Sequence, residues 1–346
     1  MAAPPPPELI DDVAAEIFLR IPPDEPAHLV LASLVCKPWR RIITDRAFLR
    51  RYRAFHRTPP MLGFLHNVDS KKMIPSAPRF IATTAASPFS PPGPAIGSPN
   101  RWWAIDCRHG RVLINLFNPM ELMVWDPITG DQHRFPPPPH PHPNFAGAVL
   151  CAARDCHHLD CHQGPFLVVF VGVRVLVGDW AVELTGIQCA PFLDRDVAQP
   201  PHPRHTLLQL HELSQIDPPC WGLDYTTLMT AEDGGLGFAT VKDCRLLLWS
   251  RRNVDGIAEW EQFRVIELGM LIPMGDPSYS PDVVGVVEGT QTIFVSSDVG
   301  VFAIELKSGQ VKKVGEARHY YALFPYMSFY TSDLARGRLA QPAGVQ

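Results

Sequence analysis

Residues 8–57 contain no glycine and repeat their apolar residues at helical spacing. From about residue 60 onward glycine, proline and β-branched residues rise, and apolar runs shorten to four to seven residues. Helices need a period near 3.6 and strands a period of 2, so one architecture cannot serve both stretches. The chain is therefore expected to hold a small helical unit followed by a larger, strand-rich one.

In the first helical stretch Leu9, Val13, Ile17 and Ile21 form one apolar stripe. Asp11 and Asp12 stand near its start, where acidic side chains cap free amides and suit the helix dipole. Pro22-Pro23 ends it. Further on, Leu31, Leu34, Val35, Trp39, Ile42 and Ile43 share a face. Pro38 lacks an amide and clashes one turn back, so this face is read as two helices with Pro38 in the first turn of the second. Ala47, Phe48 and Leu49 begin a last short helix. Such a unit has too little apolar surface to fold alone, and its exposed face is expected to complete its core on another protein.

The strand-rich part repeats a pattern. Residues 103–115 read as strand, turn at His109-Gly110, strand; Met120 to Trp125 adds a third, closed by Asp126-Pro127-Ile128-Thr129-Gly130. Residues 283–287, 292–296 and 301–306 repeat that order with a turn at Lys307-Ser308-Gly309, and residues 237–265 hold a blurred copy. Repeated three- to four-stranded units point to a propeller with degenerate blades. Residues 60–332, at the usual ~40–50 residues per blade, suit about five or six of them. A stacked sandwich is the other arrangement the irregular period allows. Trp102, Trp103, Trp125, Trp221, Trp249 and Trp260 are read as blade-packing residues.

Composition limits the remaining classes. A net charge of −4 gives no support to nucleic-acid binding. The arginines at 40, 41, 46, 50, 51, 53 and 57 are read as a solvated face or one that meets an acidic partner. The longest apolar run, 166–177, is interrupted by Gly172 and Arg174 and falls short of the ~20 residues of a membrane helix, so no membrane span is expected. The Met-Ala-Ala start lacks the basic and apolar regions of a signal peptide, which suggests a cytoplasmic or nuclear setting and reduced thiols for the eight cysteines. Prolines number 37, with clusters at 4–7, 88–99, 136–143 and 200–203 that read as leader, loops and spacers.

No catalytic set is expected. The glycines at 234, 235 and 237 precede a strand rather than open a helix, so they are not a phosphate loop. His211 with Asp224 is at most an imagined pair. Cys151, Cys156, His157, His158, Cys161 and His162 form the tightest cluster of metal-ligand types. Their spacing lacks a CxxC pair, and the segment reads as a polar hairpin loop; no metal and no cofactor are expected.

The segment Glu8–Tyr52 resembles the F-box. Leu9, Asp12, Val13, Glu16, Ile17, Arg20, Ile21 and Pro22 fall on the first half of that family's pattern. Ser33, Val35, Cys36, Lys37, Trp39, Arg40 and Ile42 fall on the second, while Ile10 stands where the family has proline. Val124-Trp125-Asp126-Pro127 and Ile293-Phe294-Val295-Ser296 look like blade sequences of plant F-box proteins that carry a propeller-like domain. The fold that follows is α+β and multidomain: a disordered leader at 1–7, a helical F-box at 8–57, a mostly antiparallel, kelch- or galactose-oxidase-like β-propeller at 60–332, and a flexible tail at 333–346.

The resemblance implies a non-catalytic substrate-receptor subunit of a Skp–cullin–F-box ubiquitin ligase. It would bind a Skp-type adaptor and, through it, cullin and RING subunits, with a target protein held by the β domain. The expected adaptor-binding residues are Leu9, Ile10, Val13, Ile17, Phe18, Ile21, Pro22, Leu31, Leu34, Val35, Cys36, Trp39 and Ile42. The alternatives are an F-box scaffold without ubiquitination targets and, less compatible with the residues, a propeller enzyme.

Overall fold

The computed structural model describes residues 10–68, 79–83, 102–117, 120–135, 144–153, 156–159, 161, 164–175, 182–192, 226–233, 235–254, 257–276, 278–287, 289–317 and 320–331. Four helices come first: α1 (Asp11–Leu19), α2 (Pro26–Val35), α3 (Lys37–Ile43) and α4 (Arg46–His56). α2 and α3 part where Pro38 requires it. Pro38 lies in the first turn of α3, and Cys36 between the two helices is extended at φ −154°, ψ 165°. Asp45 caps α4, its carboxylate accepting from the Ala47 and Phe48 amides at 2.9 and 3.0 Å. The cap expected of Asp11 and Asp12 is not made. Ile10 is the N-cap residue of α1 and offers no side-chain acceptor, while Asp11 pairs with Arg41 on α3 at 2.9 Å.

The β region is a run of antiparallel sheets in chain order. β1 (Met61–Val68) and β2 (Arg79–Ala82) begin it. A second sheet holds β3 (Trp102–Arg108), β4 (Arg111–Phe117), β5 (Met120–Trp125) and β6 (Gln132–Phe135). A third holds β7 (Asn144–Cys151), β8 (Phe166–Val175) and β9 (Val182–Phe192). A fourth holds β10 (Thr226–Thr230), β11 (Leu236–Lys242), β12 (Arg245–Val254) and β13 (Ile257–Glu267). A fifth holds β14 (Asp282–Val287), β15 (Thr292–Ser297), β16 (Gly300–Glu305) and β17 (Val311–Gly315). The last strand, β18 (Tyr320–Met327), returns to pair with β1 and so joins the end of the chain to the first sheet.

Neighbouring sheets pack against one another in the manner of successive propeller blades. β3 touches both β18 and β7, and β14 touches both β10 and β18. Alternate residues of one strand feed different cores, as a sheet buried on both faces requires. On β4, Val112, Ile114 and Leu116 pack toward the first sheet, whereas Leu113 packs with Val149 and Phe166 of the third. On β15, Ile293 and Val295 pack toward the fourth sheet, whereas Phe294 meets Phe64 of β1.

Polar side chains stitch neighbouring sheets. Asn67 donates to the Ala104 carbonyl at 2.7 Å and accepts from the Ala104 amide at 3.1 Å, closing the gap between the first and second sheets. Asp106 accepts from the Val149 amide at 2.8 Å and does the same between the second and third.

The turns are where residue chemistry puts them. His109-Gly110 joins β3 to β4 with both residues at positive φ, 53° and 73°. Asp126 accepts from the Ile128 and Thr129 amides at 2.7 and 3.1 Å, and Gly130 closes that turn at φ 82°. The fifth sheet repeats the arrangement with Gly309 at φ 70°. Of the tryptophans, Trp102 and Trp125 meet edge to face at 6.5 Å inside the core between the first two sheets. Trp221 lies outside the described residues, as do the proline segments 136–143 and 200–203.

Candidate functional site

The helical unit buries one side and leaves another bare. Its core is Ala14, Phe18, Leu19, Leu29, Ile43, Phe48, Leu49 and Tyr52, joined by Phe329 from beyond β18. Half-buried Val30 of α2 packs against the core between the first two sheets, and Leu159 from the β7–β8 loop packs against the helical core. Tyr52 and Phe329 meet edge to face at 6.1 Å. These contacts seat the helices on the β region.

The apolar stripe read from the sequence is not the face that makes this core. Ile10, Val13, Ile17, Leu31, Leu34 and Val35 are 47% to 70% exposed. Cys36 and Pro22 are exposed as well. Large aliphatic side chains gathered on two helices of one small unit and left in water are uncommon without a partner. The remaining expected residues lie deeper. Phe18 is buried, and Ile21, Trp39 and Ile42 are half-buried against the same core. Trp39 packs edge to face on Phe18 at 5.1 Å. Leu9 falls outside the described residues.

Charge frames this face. Arg51 of α4 and Arg20 hold the Glu16 carboxyl below its ordinary value, the hydrogen bond from Arg51 being the larger cause. Arg41 reaches Asp11. Part of the arginine run is therefore spent tying α3 and α4 to α1.

Residues 7–51 match the F-box domain model. This chain carries an F-box domain. Such a domain implies docking onto a Skp-type adaptor in Skp–cullin–F-box complexes, and F-box proteins are generally non-catalytic adaptor subunits. Among solved structures, the chain is similar to the WD40 domain of SCAP from fission yeast, at 9% identity and a TM-score of 0.27. That match covers 70% of this chain and 56% of the other. No curated protein matches the chain. The chain has four N-terminal helices, which carry the F-box match, followed by a domain of antiparallel sheets. Its propeller-like order rests on the strand pairings above.

A cavity and a Cys/His cluster could also carry chemistry. A cavity of about 730 Å³ opens among β3, β10, β14 and β18 beside Arg57, Thr58 and Pro59, the residues that lead out of α4. The pair His211 and Asp224 lies outside the described residues.

The Cys/His cluster departs from the sequence reading. One-dimensional spacing argued for a polar loop without a metal. In the fold, the sulfurs of Cys151, Cys156 and Cys161 and a ring nitrogen of His158 all lie within 4.8 Å of one another. Pairing of β7 with β8 sets Cys151 opposite Phe166, which brings the two ends of the loop together. No CxxC spacing is needed when a hairpin supplies the proximity.

Proposed function

We propose that this protein is the substrate-receptor subunit of a Skp–cullin–F-box ubiquitin ligase. The exposed apolar residues of α1 and α2 dock a Skp-type adaptor, which bridges to cullin and RING subunits, and the β domain holds a target protein. The observation that carries this reading is the outward position of Ile10, Val13, Ile17, Leu31, Leu34 and Val35 within a matched F-box. A helical face of this kind suits an apolar groove on a partner. Each large side chain buried there contributes about 1.5–3 kcal/mol before the costs of association.

The β domain suits the second role because its strands are committed to packing between sheets, which leaves the connecting loops to vary with the target. The test is co-purification of the full chain with a Skp-type adaptor, followed by ubiquitin transfer in the assembled complex. Leu34→Asp with Val35→Asp should remove the adaptor without lowering thermal stability. Retention of the adaptor by that double variant would count against the docking face. Adaptor binding without ubiquitin transfer to any co-purifying protein would favour a scaffold instead.

A further inference from the structure

We propose that Cys151, Cys156, His158 and Cys161 form a structural zinc site that clips the β7–β8 loop against the F-box. The argument starts from distances. Tetrahedral zinc with bonds of about 2.3 Å to sulfur and 2.0 Å to nitrogen sets its donor atoms roughly 3.5–3.8 Å apart. Cys161 Sγ and His158 Nδ1 are 3.7 Å apart, and all four donors fall within 4.8 Å of one another. A small contraction completes the tetrahedron. Three thiolates and an imidazole are the donor set of closed, structural zinc sites, and they disfavour magnesium and calcium.

The backbone around the donors is shaped for them. The His158 amide donates to Cys156 Sγ at 3.4 Å, and His158 takes a positive φ of 56°. The His158 ring rests on that of His109, centroids 4.6 Å apart, which fixes its direction.

Electrostatics point the same way. Three thiolates and one Zn²⁺ carry a net charge of −1. Arg111, only 3% exposed, donates through Nη2 to the Cys161 carbonyl at 2.8 Å and to the Gly164 carbonyl. Its Nη1 is buried without a hydrogen-bond partner among the described residues. A buried guanidinium needs nearby negative charge; the Asp126 carboxylate and the Phe166 ring, 4.9 Å from the guanidinium carbon, meet part of that need, and the three sulfurs beside it would add to it once bound to a metal. Binding Zn²⁺ replaces the three thiol protons, which pass to solvent, while His158 coordinates as the neutral ring.

The site has a structural consequence. Leu159, between two of the donors, packs against the F-box core. Holding the loop with a metal holds Leu159, and with it one of the contacts between the helices and the β domain.

The experiment uses the full chain, purified from zinc-replete cells with its adaptor if it needs one. Elemental analysis should give about one zinc per chain. Cobalt(II) added to the chelator-stripped protein should produce the visible bands of a tetrahedral site with sulfur-to-metal charge transfer. Cys156→Ser with Cys161→Ser should lose the metal, Cys107→Ser should keep it, and His158→Cys should keep cobalt with a stronger sulfur band. The idea fails if the wild-type chain is metal-free and gives no tetrahedral cobalt spectrum. It also fails if a disulfide joins two of the three cysteines, or if the double variant retains the metal. Should the double variant not fold, the wild-type zinc content and cobalt spectrum decide alone.

Discussion

Trp39 and Phe18 meet edge to face with ring centroids 5.1 Å apart. The sequence groups Trp39 with Leu34 and Val35 on one face, yet the ring is turned partly into the F-box's own core. Trp39→Ala should therefore cost about 2–4 kcal/mol of stability, since it removes much of a large packed side chain. Any loss of adaptor binding in that variant would follow from the helices loosening. Val35→Asp, on an exposed side chain, should leave the unfolding free energy within about 0.5 kcal/mol of wild type while removing the adaptor. Denaturation curves beside adaptor pull-downs separate the two; equal stability losses would contradict the assignment of faces.

Asn67 is a backbone substitute between two sheets. Its amide gives one hydrogen bond to Ala104 and takes one from it, and the side chain is buried. Asn67→Asp keeps the acceptor but sets a carboxylate against the Ala104 carbonyl. The expected cost is about 2–4 kcal/mol at neutral pH, more than for most surface changes. A variant with wild-type chemical stability would show that the first and second sheets do not depend on this pair.

Asp106 makes a pH prediction. Burial raises its carboxyl above the ordinary value, against the pull of Arg108 and the Val149 amide. The folded chain thus holds this proton more tightly than the unfolded chain. The stabilisation is complete below the unfolded value of about 3.9 and is lost as pH rises through the higher folded value. Asp106→Asn can still accept from the Val149 amide and carries no charge. Its stability relative to wild type should improve from about pH 4 to about pH 7. Denaturant titrations across that range would refute the prediction if wild type gained on the variant.

Gly285 and Gly130 should answer substitution differently. A Cβ at Gly285 would lie 2.6 Å from the Leu323 carbonyl oxygen, backbone that cannot move without parting β14 from β18. Gly285→Ala should cost about 1–3 kcal/mol and loosen the closing strand. Gly130 has φ 82° and nothing within 4 Å of an added Cβ, so only conformation resists a side chain. Gly130→Asn should be nearly neutral and Gly130→Val should not, because Asn tolerates left-handed backbone. Thermal melts of the three variants rank them directly; a stable Gly285→Ala would remove the close approach as a constraint.

Much of the architecture was legible in one dimension. The break between α2 and α3 follows from Pro38, and the β3–β4 turn follows from His109-Gly110. The Asp126–Gly130 turn needs a side-chain acceptor at its start and a glycine at its end. These are local effects of ring closure, positive φ and short-range hydrogen bonds. The docking face was half legible. Periodicity shows that Val13 and Ile17 align, but a second row made by Ala14 and Phe18 is also apolar, and periodicity does not say which row turns inward.

Sequence by itself determined the F-box pattern, the change from helical to strand periodicity near residue 60, and the repeated strand units. Each depends on residues close together along the chain. Tertiary structure decided that β18 closes on β1, that Trp39 serves the core while Val35 faces water, and that Cys151 and Cys161 stand together with Cys156 and His158. Those outcomes come from packing between distant segments. A β-hairpin brings its two ends within reach whatever the loop between them spells, and a helix buries whichever face its neighbours can fill.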